Sequence, residues 1–270
     1  MHDALSASRQ TVRRIRWTAR ARLAEHEPFL PLARLRHGHT VIGRGTELVI
    51  DGFPRSANTF AVVALQLAQR RPVRIAHHLH APAQITAAVR RGVPVLLTIR
   101  EPQGAVVSCV VREPHVKVEQ ALVAYARFYS RLAPHRAACV VGDFTRITTD
   151  LGGLTAELNR KYGTRFEPFQ HTHENVSECF SLIDERARRP PWDVHLGYFL
   201  SGLETLEQMR AAAQRAGGMR GIEPIPSGRV SRPAVERRRE LASALGVYQS
   251  RSMSALRAHA ERAYAMFVAS

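Results

Sequence analysis

From Glu47 onward, short apolar runs alternate with longer stretches of helical spacing. The runs Leu48 to Asp51, Val73 to Ala76, Pro94 to Ile99 and Ala137 to Val141 read as strands. They are continuously apolar, as strands covered on both faces are. Segments near 59–70, 82–91 and 104–133 fill the intervals as helices. Strands alternating with helices predict an α/β fold with a central parallel sheet flanked by helices. After Asp143 the pattern turns helical, around 150–162, 174–188, 201–216 and 234–268, with loops rich in Pro and Gly between. Ahead of the sheet, residues 9–23 place Val12, Ile15, Ala19 and Leu23 on one helical stripe and turn Arg13, Arg16 and Arg20 away from it. The expected organisation is a basic amphipathic N-terminal helix and linker over 1–40, then a single α/β domain over 41–270.

Composition narrows the partners. The chain has 270 residues and a formal net charge of +16, from 39 basic and 23 acidic side chains. Such a surplus favours polyanions, anionic lipid headgroups or acidic small molecules, with no specific nucleic-acid binding expected. No run approaches the ~18 apolar residues of a membrane helix, and no signal peptide is visible, which predicts a cytoplasmic protein. The N-terminal helix either touches the inner membrane surface peripherally or packs on the domain with its arginines solvated. Cys109, Cys139 and Cys179 are odd in number and lack a paired metal spacing, so they read as core residues in a reducing compartment.

The chemistry concentrates at Gly52–Thr59, GFPRSANT, in the turn from the first strand into its helix. It has the frame of a phosphate-binding loop, Gly-x-x-x-x-Gly-Lys-Ser/Thr, with Ala57 and Asn58 at the Gly and Lys positions. Backbone amides at the helix start would face an oxyanion, Ser56 and Thr59 add hydroxyls, and Arg55 adds a permanent charge. Without the lysine, ordinary triphosphate chemistry is disfavoured. A strand-to-helix turn with no ligand is the plain alternative.

Two further segments give the loop its company. PRSANTF, Pro54 to Phe60, resembles the 5′-phosphosulfate loop of sulfotransferases that use 3′-phosphoadenosine 5′-phosphosulfate (PAPS). TIREPQGAVVS, Thr98 to Ser108, is similar to that family's 3′-phosphate segment, with Arg100 at a strand end and Ser108 in the next helix. HHLHAP, His77 to Pro82, resembles its Lys-x-His-x-Pro segment, placing His78 at the lysine position and His80 at the catalytic base. Residues Cys139 to Gly163 resemble the following strand, acidic turn and helix, and Ser227 to Glu240 supply a looser match to the basic C-terminal loop. The resemblance, to a bacterial member, covers Glu47 to Gly163 well and the first forty residues hardly at all.

The resemblance implies a P-loop-like sulfotransferase fold and PAPS as co-substrate, with no metal. It implies cofactor contacts from Arg55, Ser56, Ala57, Asn58, Thr59, Phe60, Arg100 and Ser108, with Arg229 and Arg232 as C-terminal candidates, and catalytic roles for His80, Arg55 and His78. The acceptor would be a hydroxyl or amine, with a glycan or glycolipid as the guess, and residues 164–230 are expected to shape its pocket. A histidine fits the base role because the imidazole titrates near neutral pH. The alternatives are a P-loop-type kinase acting on a small metabolite, and a non-catalytic module that binds polyanions or membrane surfaces.

Overall fold

The computed structural model describes residues 2–188, 195–216 and 238–268. Four parallel strands form its sheet: β1 (Leu48–Gly52), β2 (Ile75–His77), β3 (Val95–Ile99) and β4 (Val140–Asp143), in the order β2-β1-β3-β4. The register sets Ile50 opposite His77, Gly52 opposite Thr98 and Ile99 opposite Asp143. The loops that follow β1, β2 and β3 therefore leave from one rim.

Helices cover both faces. Before the sheet come α1 (His2–Leu23) and α2 (Phe29–His37). Along it run α3 (Asn58–Ala68), α4 (Pro82–Arg90), α5 (Pro102–Arg112), α6 (Val118–Leu132), α7 (Phe144–Thr149) and α8 (Leu151–Tyr162). Then follow α9 (His173–Arg188), α10 (His195–Leu200), α11 (Leu206–Ala216), α12 (Arg238–Gln249) and α13 (Ser254–Val268). Strand residues divide by alternation. Val49, Ala76, Val95, Leu97 and Ile99 face a core with α4, α5, α6 and α13. Leu48, Ile50, Ile75, Leu96 and Val140 face a second core with α3, α8, α9 and α10. This two-sided burial is why the strands are apolar throughout.

The interval 104–133, read as one helical stretch, is two helices, α5 and α6, broken between Arg112 and Val118. Pro114 lies in that break and cannot donate an amide to a continuing helix. The interval 201–216 becomes helical only from Leu206, with Gly202 at a φ of 70° in a turn after α10. A Cβ there would lie 1.9 Å from the Val73 carbonyl oxygen, so the turn needs glycine.

The N-terminal helix packs on the domain, and the stretch that follows it is buried against the sheet as well. Ala24, Leu30, Ala33, Val41 and Ile42 are buried in the same core as the sheet. Helix α1 docks with Arg14, Trp17, Thr18 and Ala24. Arg14 donates to the His115 carbonyl, Gln120 to Thr18, and Ala83 N–H to the Ala24 carbonyl. The stripe picked out by periodicity faces the other way, with Val12 51%, Ile15 63% and Leu23 60% exposed. No described helix is long and apolar enough to cross a membrane.

Candidate active site

Phe53–Ala57, His78–Ala81 and Arg100–Glu101 follow β1, β2 and β3 at their carboxyl ends. β1 lies between β2 and β3, and the helices after β1 and β3 cover opposite faces. Their connections diverge there, which opens the crevice where sheets of this kind bind ligands.

Backbone strain collects at the crevice. Among the described residues the non-glycine positions with positive φ are Arg55 (73°), Ala57 (62°), His78 (55°) and His80 (51°). Each costs about 1–2 kcal/mol for a residue with a Cβ, so the surroundings must fix both loops. Asp51, fully buried, does much of this. Its carboxylate accepts from Gly52 N–H at 3.0 Å, from His80 N–H at 3.0 and 3.1 Å, and from Gln84 Nε2 at 3.1 Å. Gln84 Oε1 in turn accepts from Ile42 N–H. One carboxylate thus ties the histidine loop to the end of β1.

The first loop closes on itself through Asn58. Its Nδ2 donates to the Phe53 carbonyl at 3.2 Å, and its Oδ1 accepts from Thr98 Oγ1 at 2.8 Å. The side chain at the usual lysine position therefore braces the loop, and only its amide is left for a ligand. Tyr129 supports the other side, accepting from Phe53 N–H and donating to the Thr98 carbonyl. Burial pushes its phenol well above the ordinary range, so it stays a neutral donor. Ser56 Oγ is buried beside that committed hydroxyl without a hydrogen bond of standard geometry. Among the described residues, no group accepts from the amides of Ser56, Ala57, Asn58 or Thr59. Four clustered donors at the start of α3 are what an anion needs.

The histidines divide their contacts. His80 Nδ1 lies 2.8 Å from the Gly52 carbonyl oxygen, which can only accept, so Nδ1 carries the proton. Asp51 Oδ1 is 3.4 Å from the same nitrogen. In a neutral ring this bond leaves the lone pair on Nε2. His78 Nε2 meets Thr59 Oγ1 at 2.9 Å, its Nδ1 meets His77 Nδ1 at 2.6 Å, and His77 Nε2 meets Ser201 Oγ at 3.1 Å. A chain of polar contacts thus runs from the loop hydroxyl of Thr59 to Ser201. Among the described residues no group of three or more His, Cys, Asp or Glu side chains is placed to hold a metal.

The arginines also converge. Arg55 Nε donates to Ser108 Oγ at 2.9 Å, joining the first loop to α5. Arg100 lies with its guanidinium 4.1 Å from the Phe144 ring centre and donates to Glu101 Oε1 at 3.2 Å. A Cβ on Gly104 would stand 2.5 Å from Arg100 Nε, so glycine makes room for the side chain on the first turn of α5. Ser108 lies one turn further along the same helix face.

Other expected residues fall elsewhere. Phe60 is buried among Phe169, His171 and Phe180, with ring centres 5.6 to 6.1 Å away. Arg229 and Arg232 lie outside the described residues. Burial pushes Cys109, Cys139 and Cys179 up to about 12, so none offers a thiolate near neutral pH. Asp51, Gln84, Tyr129 and Ser201 were not anticipated from sequence. Asp51 carried one usable signal, a carboxylate ending an apolar strand just before the loop. Ser201 carried none, since 124 residues separate it from His77.

Comparison with protein-family models, with curated proteins and with solved structures finds no match for this chain.

Proposed function

We propose that the chain is a sulfotransferase that moves a sulfuryl group from PAPS to a hydroxyl of an acceptor. The observation that carries this reading is His80. A histidine that donates from Nδ1 stands beside a lysine-free loop whose amides have no partner among the described residues. In the reaction the sulfur–oxygen bond to the 5′-phosphate breaks as a bond to the acceptor oxygen forms. The acceptor proton passes to His80 Nε2, and adenosine 3′,5′-bisphosphate leaves.

The residues present fit that co-substrate. The amides of Ser56 to Thr59 and the charge of Arg55 would hold the 5′-phosphate and stabilise it as it leaves. The contacts Ser201–His77–His78–Thr59 support both directions of donation with neutral rings. In the direction that ends on Thr59 Oγ1, its own proton is left to point at a phosphate oxygen. Arg100 and Ser108 would take the 3′-phosphate after modest rearrangement, since Arg100 now leans on Glu101 and Ser108 on Arg55. A triphosphate-transferring role is less well supported, because Asn58 is bonded into the fold where a cation is required.

Thermal unfolding with ligands tests the reading. Adenosine 3′,5′-bisphosphate at a hundred times its Kd should stabilise the fold by about 2.7 kcal/mol, and ATP with magnesium should not. The reverse pattern rejects a sulfotransferase. His80→Ala should keep that nucleotide shift and lose transfer of labelled sulfate. His78→Ala should weaken nucleotide binding through Thr59 and leave the base in place.

A further inference from the structure

A cavity of about 290 Å³ opens beside His80, and the resemblance says nothing about most of its wall. Its lining includes Phe53 and Pro54 of the first loop, His80, Trp17 of α1, and Val123 and Phe128 of α6. Among the described residues, none that line it comes from 164–230, the segment expected to shape an acceptor pocket.

The polar groups lining this cavity are largely occupied with one another. Glu25 accepts two bonds from Arg127, each 2.7 Å. An Arg20 terminal nitrogen donates to the Leu79 carbonyl at 2.7 Å, and burial lowers this guanidinium's pKa against the opposing pull of Asp51. Gln120 donates to Thr18 and accepts from Lys117 N–H. A carbohydrate would need several of these groups for its hydroxyls. Arg22 and Glu119, also in the lining, are exposed at the surface. Trp17, Phe53 and Phe128 remain as apolar walls around a site with one histidine. Such walls gain affinity from area removed from water, and the volume lies at the small end for ligand pockets.

We propose that α1 completes the acceptor site, and that the acceptor is a compact alcohol with an apolar ring body whose hydroxyl reaches His80. This rests on the sulfuryl-transfer reading for the reaction, but the binding claim can be measured without it. The probe is 2-naphthol, with lactose as the carbohydrate comparison, and the variants are Trp17→Ala and Val123→Arg. Val123 is 39% exposed, so arginine there can enter the cavity without being buried in the core. Circular dichroism and the adenosine 3′,5′-bisphosphate shift confirm that each variant is folded.

The expected result is sulfation of 2-naphthol and not of lactose, with KM raised about tenfold or more in both variants and nucleotide affinity unchanged. Sulfation of lactose alone, or a KM for 2-naphthol that neither folded variant changes, overturns the proposal. If the nucleotide does not bind, the sulfotransferase reading fails. In that case calorimetric binding of 2-naphthol that Val123→Arg abolishes still establishes the cavity, and absence of binding removes it too.

Discussion

Asn58 and Asp51 show how the loop does without its lysine. Asn58 bridges Phe53 and Thr98, and its own backbone amide joins the donors at the start of α3. Asp51 holds the histidine loop with three donors, two of them backbone amides. Removing its side chain leaves those donors buried without acceptors, each costing about 1–3 kcal/mol. Asp51→Ala should therefore destabilise by about 3 kcal/mol or more, and Asp51→Asn, which keeps one accepting oxygen, by less. Urea unfolding of the two variants checks the order, and equal midpoints would reject this role for the carboxylate. The residues proposed to contact the ligand, Arg55, Thr59, His78, His80 and Arg100, could be picked out because they sit in short segments of fixed spacing. Their supports could not, since Gln84, Tyr129 and Ser201 come from distant parts of the chain, and an isolated polar residue on an apolar helix has many ordinary explanations.

At the scale of elements, hydrophobic period recovered the four strands and helices α3, α4, α8 and α9 to within a few residues, because burial on two faces leaves a strong pattern, but it ran α5 into α6 and α12 into α13 and missed α2, α7 and α10. It failed on α1 for a physical reason. The helix carries apolar residues on opposite sides, and the aliphatic stripe, Val12, Ile15 and Leu23, is the exposed one. The docked face, Trp17, Thr18 and Ala21 with Ala24 just beyond the helix, mixes one large ring with small and polar residues, and reads poorly by period alone. It is chosen by specific bonds to α4 and α6 and by the close approach that alanine permits at Ala24. Ile15→Glu should accordingly leave the unfolding midpoint within about 0.5 kcal/mol of the parent, as exposed positions do. Ala24→Glu places an unpaired charge in the core and should cost several kcal/mol. Comparable losses in both variants would mean that the apolar stripe docks after all.

At the scale of the whole molecule, ionisable groups shut inside the fold tie its stability to alkaline pH. Burial holds Cys109, Cys139 and Cys179 at about 12, against 9.0 for a free thiol. Burial likewise raises Tyr125 and Tyr129 above the ordinary value of 10.0. In the unfolded chain the thiols lose their protons from about pH 9 and the phenols from about pH 10, while the folded protein keeps them. The folded state then binds more protons, so stability falls with rising pH by about 1.4 kcal/mol per unit for each group fully inside its window. Below pH 9 the contribution is complete, and for the thiols the loss runs up to about pH 12. Urea midpoints measured with reductant at pH 8, 9.5 and 11, at one ionic strength, should decline in that order. Cys179→Ala removes one thiol and should make the decline shallower. A midpoint that stays level from pH 8 to 11 would mean that these groups reach solvent in the folded protein, and the two cores that carry the rim of loops would be looser than their packing requires.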